Sequence, residues 1–223
     1  MFKIFSKHLN IIIAISEKKN GPMKFSPDNR ENFLRKLGIE DKLTVKAGLV
    51  HENNVKVVSD EDAGKTIEKT DGLITADKSL FLTITVADCL PIFIFDSEKE
   101  IIGLIHGGWR GLAKNILAEA VKNLSKDILV GIGPGISQCH FEVKQDVLRE
   151  FKPYLKDTLL KRDGKLFLDL KKIAKLQLID IGIKPENIEI SPECTFCLQN
   201  KYFSFRRDKP QKLQTMLALI GRK

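Results

Sequence analysis

The run LFLTITVADCLPIFIFDSEKEIIGLIHGGWRG, residues 80–111, decides the expected fold of this chain. It holds three segments rich in β-branched and aromatic residues: Leu80–Val86, Leu90–Phe95 and Ile101–Ile105. Such segments are typical of buried β-strands. Cys89 and His106 lie where these strands end or are interrupted. We therefore expect the rigid strands to fix the positions of a reactive or ligating thiol and imidazole.

Helices and strands are expected to alternate along the rest of the chain, without an internal repeat. The expected helices are Pro27–Leu37, Leu112–Ser125, Lys144–Tyr154 and Asp169–Ile181. Further strands are expected within Lys3–Ile15 and at Thr44–Val50, Val55–Val58, Ile128–Ile132, Ile188–Ile190, Tyr202–Phe205 and Leu213–Ile220. The pattern predicts one domain over residues 1–223, of the α/β (α+β) class with mixed β-sheets.

Composition argues against several classes of protein. The net charge is +8, but the lysines are scattered among acidic residues, so we expect a solvated surface and no nucleic-acid partner. No apolar segment approaches about 18 residues, so no membrane span is expected. The short run Ile11–Ile15 is followed by no small-residue cleavage site and is expected to be a strand rather than a signal peptide. Four cysteines do not make a disulfide framework, and we expect a cytoplasmic protein with free or metal-bound thiols.

Three residues form a candidate ligand set. A lone buried cysteine such as Cys89 most often serves as a small apolar residue. Of the three residues, His51 has the neighbouring sequence that gives the least support for a ligand role. Together, however, His51, Cys89 and His106 supply two imidazoles and one thiolate from three strand ends. That number of ligands suits zinc with a fourth position left for water or substrate. Arg110, after the glycines that follow His106, offers a planar fork for an anion.

Other cysteines and arginines have weaker patterns. The pair Cys194 and Cys197 has no second Cys-x-x-Cys partner, so a structural role is favoured. Cys139 and His140 are adjacent, and adjacent residues on an extended segment point to opposite faces, which disfavours chelation of one ion. Arg206 and Arg207 are either a solvated strand end or a second anion contact.

Five ordered motifs resemble the laccase-domain family, whose fold is called YfiH-like. The motifs are Asp71-Gly72-Leu73-Ile74-Thr75-Ala76, Ala87-Asp88-Cys89-Leu90-Pro91, His106-Gly107-Gly108-Trp109-Arg110-Gly111, Gly133-Pro134-Gly135-Ile136 and Phe203-Ser204-Phe205-Arg206-Arg207-Asp208. The family was first labelled multicopper polyphenol oxidase and is now regarded as zinc-dependent purine nucleoside phosphorylases. The similarity extends from about Thr44 to the C-terminus.

The resemblance implies a fold of α/β/β/α layers, with zinc held at the positions of His51, Cys89 and His106. It implies phosphorolysis of adenosine, inosine and S-methyl-5′-thioadenosine, together with hydrolytic deamination of adenosine. Purine nucleosides and phosphate are then the partners, and the protein is a monomer or a small homo-oligomer. The chain departs from the family at Glu52, where Gly usually follows the histidine, and at Gly107, where Ala is usual. It also has a reduced Gly/Ser-rich N-terminal segment.

The roles of the remaining site residues are hypotheses. Asp88 is the expected general acid/base for deamination, and Arg110 and Arg207 are the expected contacts to phosphate or to the transition state. A multicopper cluster needs many imidazoles, and the chain has only four histidines: His8, His51, His106 and His140. A laccase mechanism is therefore not expected, and copper would bind only adventitiously at the three-ligand site.

Two alternatives remain open at this stage. One is a metal-free hydrolase or deamidase, in which Cys89 is the nucleophile, activated by His106 and oriented by Asp88. The other is a non-catalytic binding or scaffold protein that keeps the fold, for which the altered residue Glu52 is the only indication. Chelation separates the first alternative from a zinc enzyme, because a thiol enzyme survives it and is inactivated by alkylating agents.

Overall fold

The computed structural model describes residues 2–223, which contain fourteen strands and seven α-helices. The strands are β1 (Ile11–Ile15), β2 (Thr44–Gly48), β3 (Val55–Val57), β4 (Thr66–Glu68), β5 (Gly72–Thr75), β6 (Phe81–Val86), β7 (Leu90–Asp96), β8 (Ile101–Gly107), β9 (Leu129–Ile132), β10 (Glu142–Val143), β11 (Leu159–Arg162), β12 (Lys165–Leu168), β13 (Ile188–Ile190) and β14 (Met216–Arg222). The helices are α1 (Pro27–Lys36), α2 (Trp109–Ala113), α3 (Ile116–Val121), α4 (Gln145–Glu150), α5 (Leu155–Thr158), α6 (Leu170–Asp180) and α7 (Phe205–Asp208). Most expected elements are confirmed, with ends that agree to within three residues. The exception is the helix predicted at Lys144–Tyr154, which ends as α4 at Glu150 and is followed by a 3₁₀ turn at Lys152–Tyr154.

The strands form two large sheets and one small sheet. The first large sheet has the order β1-β14-β6-β2-β4, the second has the order β13-β9-β7-β8-β5-β3, and the small sheet is β10-β12-β11. Both large sheets are mixed, since β2 runs parallel to β6 while β14 runs antiparallel to it, and β13 runs parallel to β9 while β7 runs antiparallel to it. The predicted mixed sheets are confirmed.

The two large sheets face each other, and helices cover their outer faces. Strand β7 shows how: Phe93 and Phe95 pack between the sheets, whereas Ile92 and Ile94 pack against the helical side. Alternate side chains of a strand point to opposite faces, so burial on both faces explains why this segment is apolar throughout. Helices α3 and α6 cover the second sheet, and α1 covers the first through Leu34. The α/β/β/α layers are confirmed.

Three expected elements were wrong in detail. The helix predicted at Leu112–Ser125 is divided into α2 and α3 by Asn115, which has a left-handed φ of 60° that a continuous helix cannot contain. The N-terminal segment forms a 3₁₀ turn at Lys3–Phe5 before β1. The strand predicted at Tyr202–Phe205 is instead a loop leading into α7, because the Ser204 side chain accepts a hydrogen bond from the Arg207 amide and caps a helix.

The expected site residues lie at one end of the second sheet. Cys89 sits in the crossing from β6 to β7, and the preceding Asp88 has a left-handed φ of 82°. His106 is the penultimate residue of β8, and His51 follows β2 in a loop. Among residues 2–223 no helix is both long and apolar enough to cross a membrane.

Candidate functional site

Three side chains from distant parts of the chain converge on one point. The ligand atoms of His51, Cys89 and His106 all lie within 4.8 Å of one another. The two imidazole rings are nearly perpendicular, with centroids 4.8 Å apart. His106 is buried, Cys89 is half-buried and His51 is exposed. The set is thus anchored in the core on one side and open to solvent on the other.

Asp71 holds both imidazoles in place. Its buried carboxylate accepts a hydrogen bond from His106 Nδ1 at 2.9 Å. The same carboxylate accepts the backbone amides of Val50, His51 and Glu52 at 3.2, 2.9 and 2.9 Å, which fixes the turn where His51 has a left-handed φ of 63°. Because Asp71 occupies Nδ1 of His106, the lone pair of Nε2 is left to face the other two ligands.

The protonation of Cys89 and His106 is coupled. Burial raises the pKa of the Cys89 thiol, but the imidazoles of His106 and His51 outweigh burial and lower it to about 6. Burial lowers the pKa of His106, whereas the Cys89 thiolate and the Asp71 carboxylate raise it to about 9. Burial also raises the pKa of Asp71, but hydrogen bonds from His106 and from two backbone amides bring it below its ordinary value. A thiolate at neutral pH is the form of cysteine that binds metal ions.

The three residues fit a metal ion by their donor chemistry. One thiolate and two imidazoles, with a carboxylate behind one of them, form the donor set and outer shell expected of zinc. Gly108 lies directly against the set, since a Cβ there would be in van der Waals contact with Cys89 Sγ at 3.4 Å and with the His51 ring at 3.5 Å. Three protein ligands leave a tetrahedral ion one free position.

A cleft of about 230 Å³ opens beside the three ligands. Its walls carry the aromatic rings of Trp109, Phe141 and Phe205 and the guanidinium groups of Arg110 and Arg206. Phe205 is 57% exposed, although large apolar side chains are usually covered. The cleft therefore combines flat apolar surfaces with positive charge next to the ligand set.

The two arginines predicted to contact phosphate have different surroundings. Arg110 is exposed and stacks on Trp109, with its guanidinium 4.5 Å from the ring centroid. Arg207 instead directs its donors to the carbonyls of Thr195, Phe196 and Tyr202 and to its neighbour Asp208. Those contacts occupy all five N–H donors of Arg207, and its predicted contact to phosphate stays a prediction. Arg206 lines the cleft and donates through one guanidinium nitrogen to the Glu142 carbonyl.

Asp88 lines the cleft with both carboxylate oxygens in hydrogen bonds. One oxygen accepts the Thr195 hydroxyl at 2.6 Å, and the other accepts the Ser204 hydroxyl at 3.0 Å and the Arg206 amide at 2.7 Å. These contacts join the chain before Cys89 to the segments carrying Arg206 and Phe205. The carboxylate that contacts the His106 imidazole is that of Asp71.

A second cluster contradicts the sequence-based expectation for the remaining cysteines. Cys139, His140, Cys194 and Cys197 also place their ligand atoms within 4.8 Å of one another. Cys139 and His140 lie in a turn rather than on an extended segment, since the amides of His140 and Phe141 both donate to the Ser137 carbonyl. Their side chains can therefore meet on one side.

The sequence alone predicted no role for Asp71, Phe141 or Phe205. The signal for Asp71 was present, because a carboxylate directly before a buried strand in a quoted motif needs donors to satisfy it. The apolar walls gave no such signal, because nothing local separates a cleft aromatic from a core aromatic.

Similarity to known proteins identifies the family of this chain. Residues 22–223 match a family model described as multi-copper polyphenol oxidoreductase laccase. Purine nucleoside phosphorylase YlmD of Bacillus subtilis (strain 168) is 33% identical over 213 residues, covering 87% of this chain and 76% of that protein. The protein of the same name from Geobacillus stearothermophilus is 32% identical over 88% of this chain and 78% of its own length.

Solved structures give the same result for the fold. The crystal structure of Bacillus licheniformis hypothetical protein YfiH superposes with a TM-score of 0.90 at 26% identity, covering 98% of this chain and 94% of that one. YlmD from Geobacillus stearothermophilus superposes with a TM-score of 0.89 at 27% identity, covering 100% and 94%. With its layered sheets and its convergent histidines and cysteine, the chain belongs to the multi-copper polyphenol oxidoreductase laccase family, among relatives named purine nucleoside phosphorylase.

Proposed function

We propose that this protein is a zinc-dependent purine nucleoside phosphorylase that acts on adenosine, inosine and S-methyl-5′-thioadenosine. The observation that carries the proposal is the three-residue ligand set beside a cleft with aromatic walls and two guanidinium groups. The names of the relatives support the same class of enzyme. Deamination of adenosine is a proposed second activity of the same cleft.

His51, Cys89 and His106 would hold the zinc ion, with Asp71 fixing the orientation of His106. A zinc ion bound there supplies a Lewis acid with one open coordination position. A multicopper centre finds no support, because His8 packs on Phe95 and His140 belongs to the second cluster, so neither adds an imidazole to the three ligands.

In phosphorolysis, a phosphate oxygen bonds to the anomeric carbon of the ribose while the bond from that carbon to the base nitrogen breaks. The base leaves with the bonding electrons and takes up a proton. Arg110 and Arg206 would bind the phosphate and offset its charge, because guanidinium forks match phosphate oxygens. Phe141 and Phe205 would pack against the purine ring.

Asp88 has two proposed roles. Its three hydrogen bonds suit a positioning residue that holds the Arg206 and Phe205 segment against the ligand loop. The earlier hypothesis of proton transfer during deamination stays a prediction. The two roles separate experimentally, since a proton carrier affects deamination alone, whereas a positioning residue affects both activities.

The metal-free thiol hydrolase is retained as a second candidate because the pKa of Cys89 is lowered to about 6 beside His106. Its arrangement is Cys89, His106 and Asp71, with the carboxylate on Nδ1 of the imidazole. Chelation distinguishes it from the zinc phosphorylase, which loses activity with its metal and regains activity with added zinc.

The deciding experiment incubates the purified protein with adenosine, inosine or S-methyl-5′-thioadenosine, with and without phosphate, and identifies products by chromatography and mass spectrometry. The proposal expects free base and a sugar 1-phosphate only when phosphate is present. Inosine formed from adenosine without phosphate would demonstrate deamination. No base release from any of the three nucleosides in zinc-replete protein would contradict the proposal.

A further inference from the structure

We propose that Cys139, His140, Cys194 and Cys197 form a second metal site, which holds one structural zinc ion. The site is separate from the ligand set of the cleft and does not depend on the proposed phosphorylase activity. None of its four ligands lines the cleft described above.

The spacing of the four donor atoms fits a single tetrahedral ion. Cys139 Sγ lies 3.8 Å from Cys194 Sγ and 3.6 Å from Cys197 Sγ. His140 Nδ1 lies 3.2 Å from Cys139 Sγ and 3.3 Å from Cys197 Sγ. Sulfur atoms bound at about 2.3 Å to one tetrahedral zinc are about 3.8 Å apart, so little movement is needed to admit the ion.

The same spacing argues against a disulfide as the reason for the cluster. All four cysteines of the chain are free thiols in the structure. The measured sulfur separations greatly exceed the bond length of about 2.05 Å in a disulfide. Three thiolates and an imidazole are a ligand set of closed structural zinc sites, in which the protein fills every position.

Two turns present the ligands to the same point. In the first, the His140 amide donates to the Ser137 carbonyl, which brings Cys139 and His140 together. In the second, the Leu198 amide donates to the Cys194 carbonyl, which places Cys197 beside Cys194. The turns are joined by a parallel bridge between Gly135 and Cys194, so the backbone fixes their separation.

The surroundings resemble an outer shell of a metal site. The Ser137 amide points at Cys194 Sγ at 3.4 Å, as amides do toward metal-bound thiolates. The His140 ring stacks on Phe196, with centroids 4.0 Å apart and planes inclined by 14°, which fixes the imidazole. These contacts fix the orientation of the Cys194 sulfur and of the His140 ring toward the site.

The buried ammonium of Lys171 would balance the net charge of the zinc ion together with its four ligands. Lys171 and Cys139 line one pocket, separate from the cleft. Lys171 is 5% exposed, and its ammonium donates to the carbonyls of Ser191 and Glu193. No carboxylate among residues 2–223 lies within salt-bridge distance of it. Three thiolates and a neutral imidazole on Zn²⁺ carry one net negative charge, which the adjacent lysine would balance.

The test measures metal content in matched variants of the full chain. Zinc-replete wild-type protein should bind two zinc ions per chain by elemental analysis, and Cys197→Ser and His140→Ala should each bind one. Cys89→Ser should also bind one, from the other site, and the double variant Cys89→Ser/Cys197→Ser should bind none. His8→Ala is the control, since this histidine lies outside both clusters and should leave both ions bound.

Cobalt substitution distinguishes the sites without reference to activity. Cobalt in Cys89→Ser should give the d–d bands of a tetrahedral ion and strong thiolate-to-metal charge transfer from three sulfurs. In Cys197→Ser that charge transfer should fall to the level expected of the single Cys89 thiolate. The proposal is overturned if Cys197→Ser and His140→Ala, folded by circular dichroism, hold as much zinc as wild type. It is equally overturned if peptide mapping of the wild-type protein purified without reductant finds a disulfide within the cluster in place of zinc.

Discussion

The two cysteine and histidine clusters differ in ligand number and in what surrounds them. His51, Cys89 and His106 provide three ligands at the edge of a cleft, and an outer carboxylate orients the buried imidazole. The second cluster provides four ligands on two turns, and none of the four lines the cleft. An open position permits catalysis, whereas a complete ligand set permits only binding. Under the two proposals, similar donor types would therefore serve different purposes in one domain.

The sharpest contrast concerns removal of one thiol from each cluster. Cys89→Ser should lower phosphorolysis kcat/KM by more than about 100-fold, because loss of a direct ligand exceeds the 10 to 100-fold cost of outer-shell changes. Cys197→Ser, assayed in parallel, should keep kcat/KM within about threefold of wild type, since its thiol lies outside the cleft. Equal losses in both variants would contradict the division of roles.

Asp71→Asn tests the carboxylate that orients the ligands of the three-residue site formed by His51, Cys89 and His106, called the open site below. The asparagine keeps one carbonyl acceptor for four donors, so His106 and the His51 turn lose their orientation. Zinc affinity at this site should fall about 10 to 100-fold, measured by competition with a chromophoric chelator. Asp41→Asn is the matched control, because that carboxylate bonds to Arg30 and Thr44 outside the cleft. An unchanged zinc affinity in Asp71→Asn would show that the Asp71 carboxylate does not orient the ligands.

Arg110→Lys and Arg206→Lys test the positive wall of the cleft. Each keeps its charge but loses the planar fork, so the KM for phosphate should rise about tenfold with little change in the KM for the nucleoside. Arg35→Lys is the control on helix α1, where the guanidinium pairs with Glu31 at the surface. An unchanged KM for phosphate would assign the tested arginine a structural role.

Loss of zinc from the four-ligand cluster, called the closed site below, should lower the thermal stability of the protein even though it leaves the activity unchanged. If free zinc is about 1,000 times the dissociation constant, the bound ion stabilises the fold by about 4 kcal/mol. Its loss in Cys197→Ser should then lower Tm by about 8 to 16 °C in a chain of this size, measured by calorimetry. An unchanged Tm in zinc-replete buffer would show that the cluster does not bind zinc tightly.

The sequence predicted the open site better than the closed one, for a physical reason. Cys89 and His106 follow or end strands whose β-branched composition is a strong local signal, and the family motifs supplied His51. The closed cluster depends on the bridge between Gly135 and Cys194, a pairing of residues distant in the chain that composition does not reveal. The turn at Ser137 also invalidated the assumption of an extended segment.

The aromatic segment before the arginines was misread for a similar reason. Tyr202–Phe205 has the composition of a strand, yet Ser204 caps a short helix and donates to Asp88 across the fold. Within that helix, the side chains of neighbouring residues point in different directions. Arg206 therefore faces the cleft, whereas the Arg207 guanidinium donates hydrogen bonds to three backbone carbonyls. Only tertiary contacts distinguish these two adjacent arginines.

The most direct test measures bound zinc and phosphate-dependent release of adenine from adenosine on the same preparations of wild type, Cys89→Ser and Cys197→Ser. The account predicts two, one and one zinc ions per chain, with adenine release in wild type and Cys197→Ser but not in Cys89→Ser. Adenine release that persists in Cys89→Ser, or full zinc content in Cys197→Ser, would contradict it.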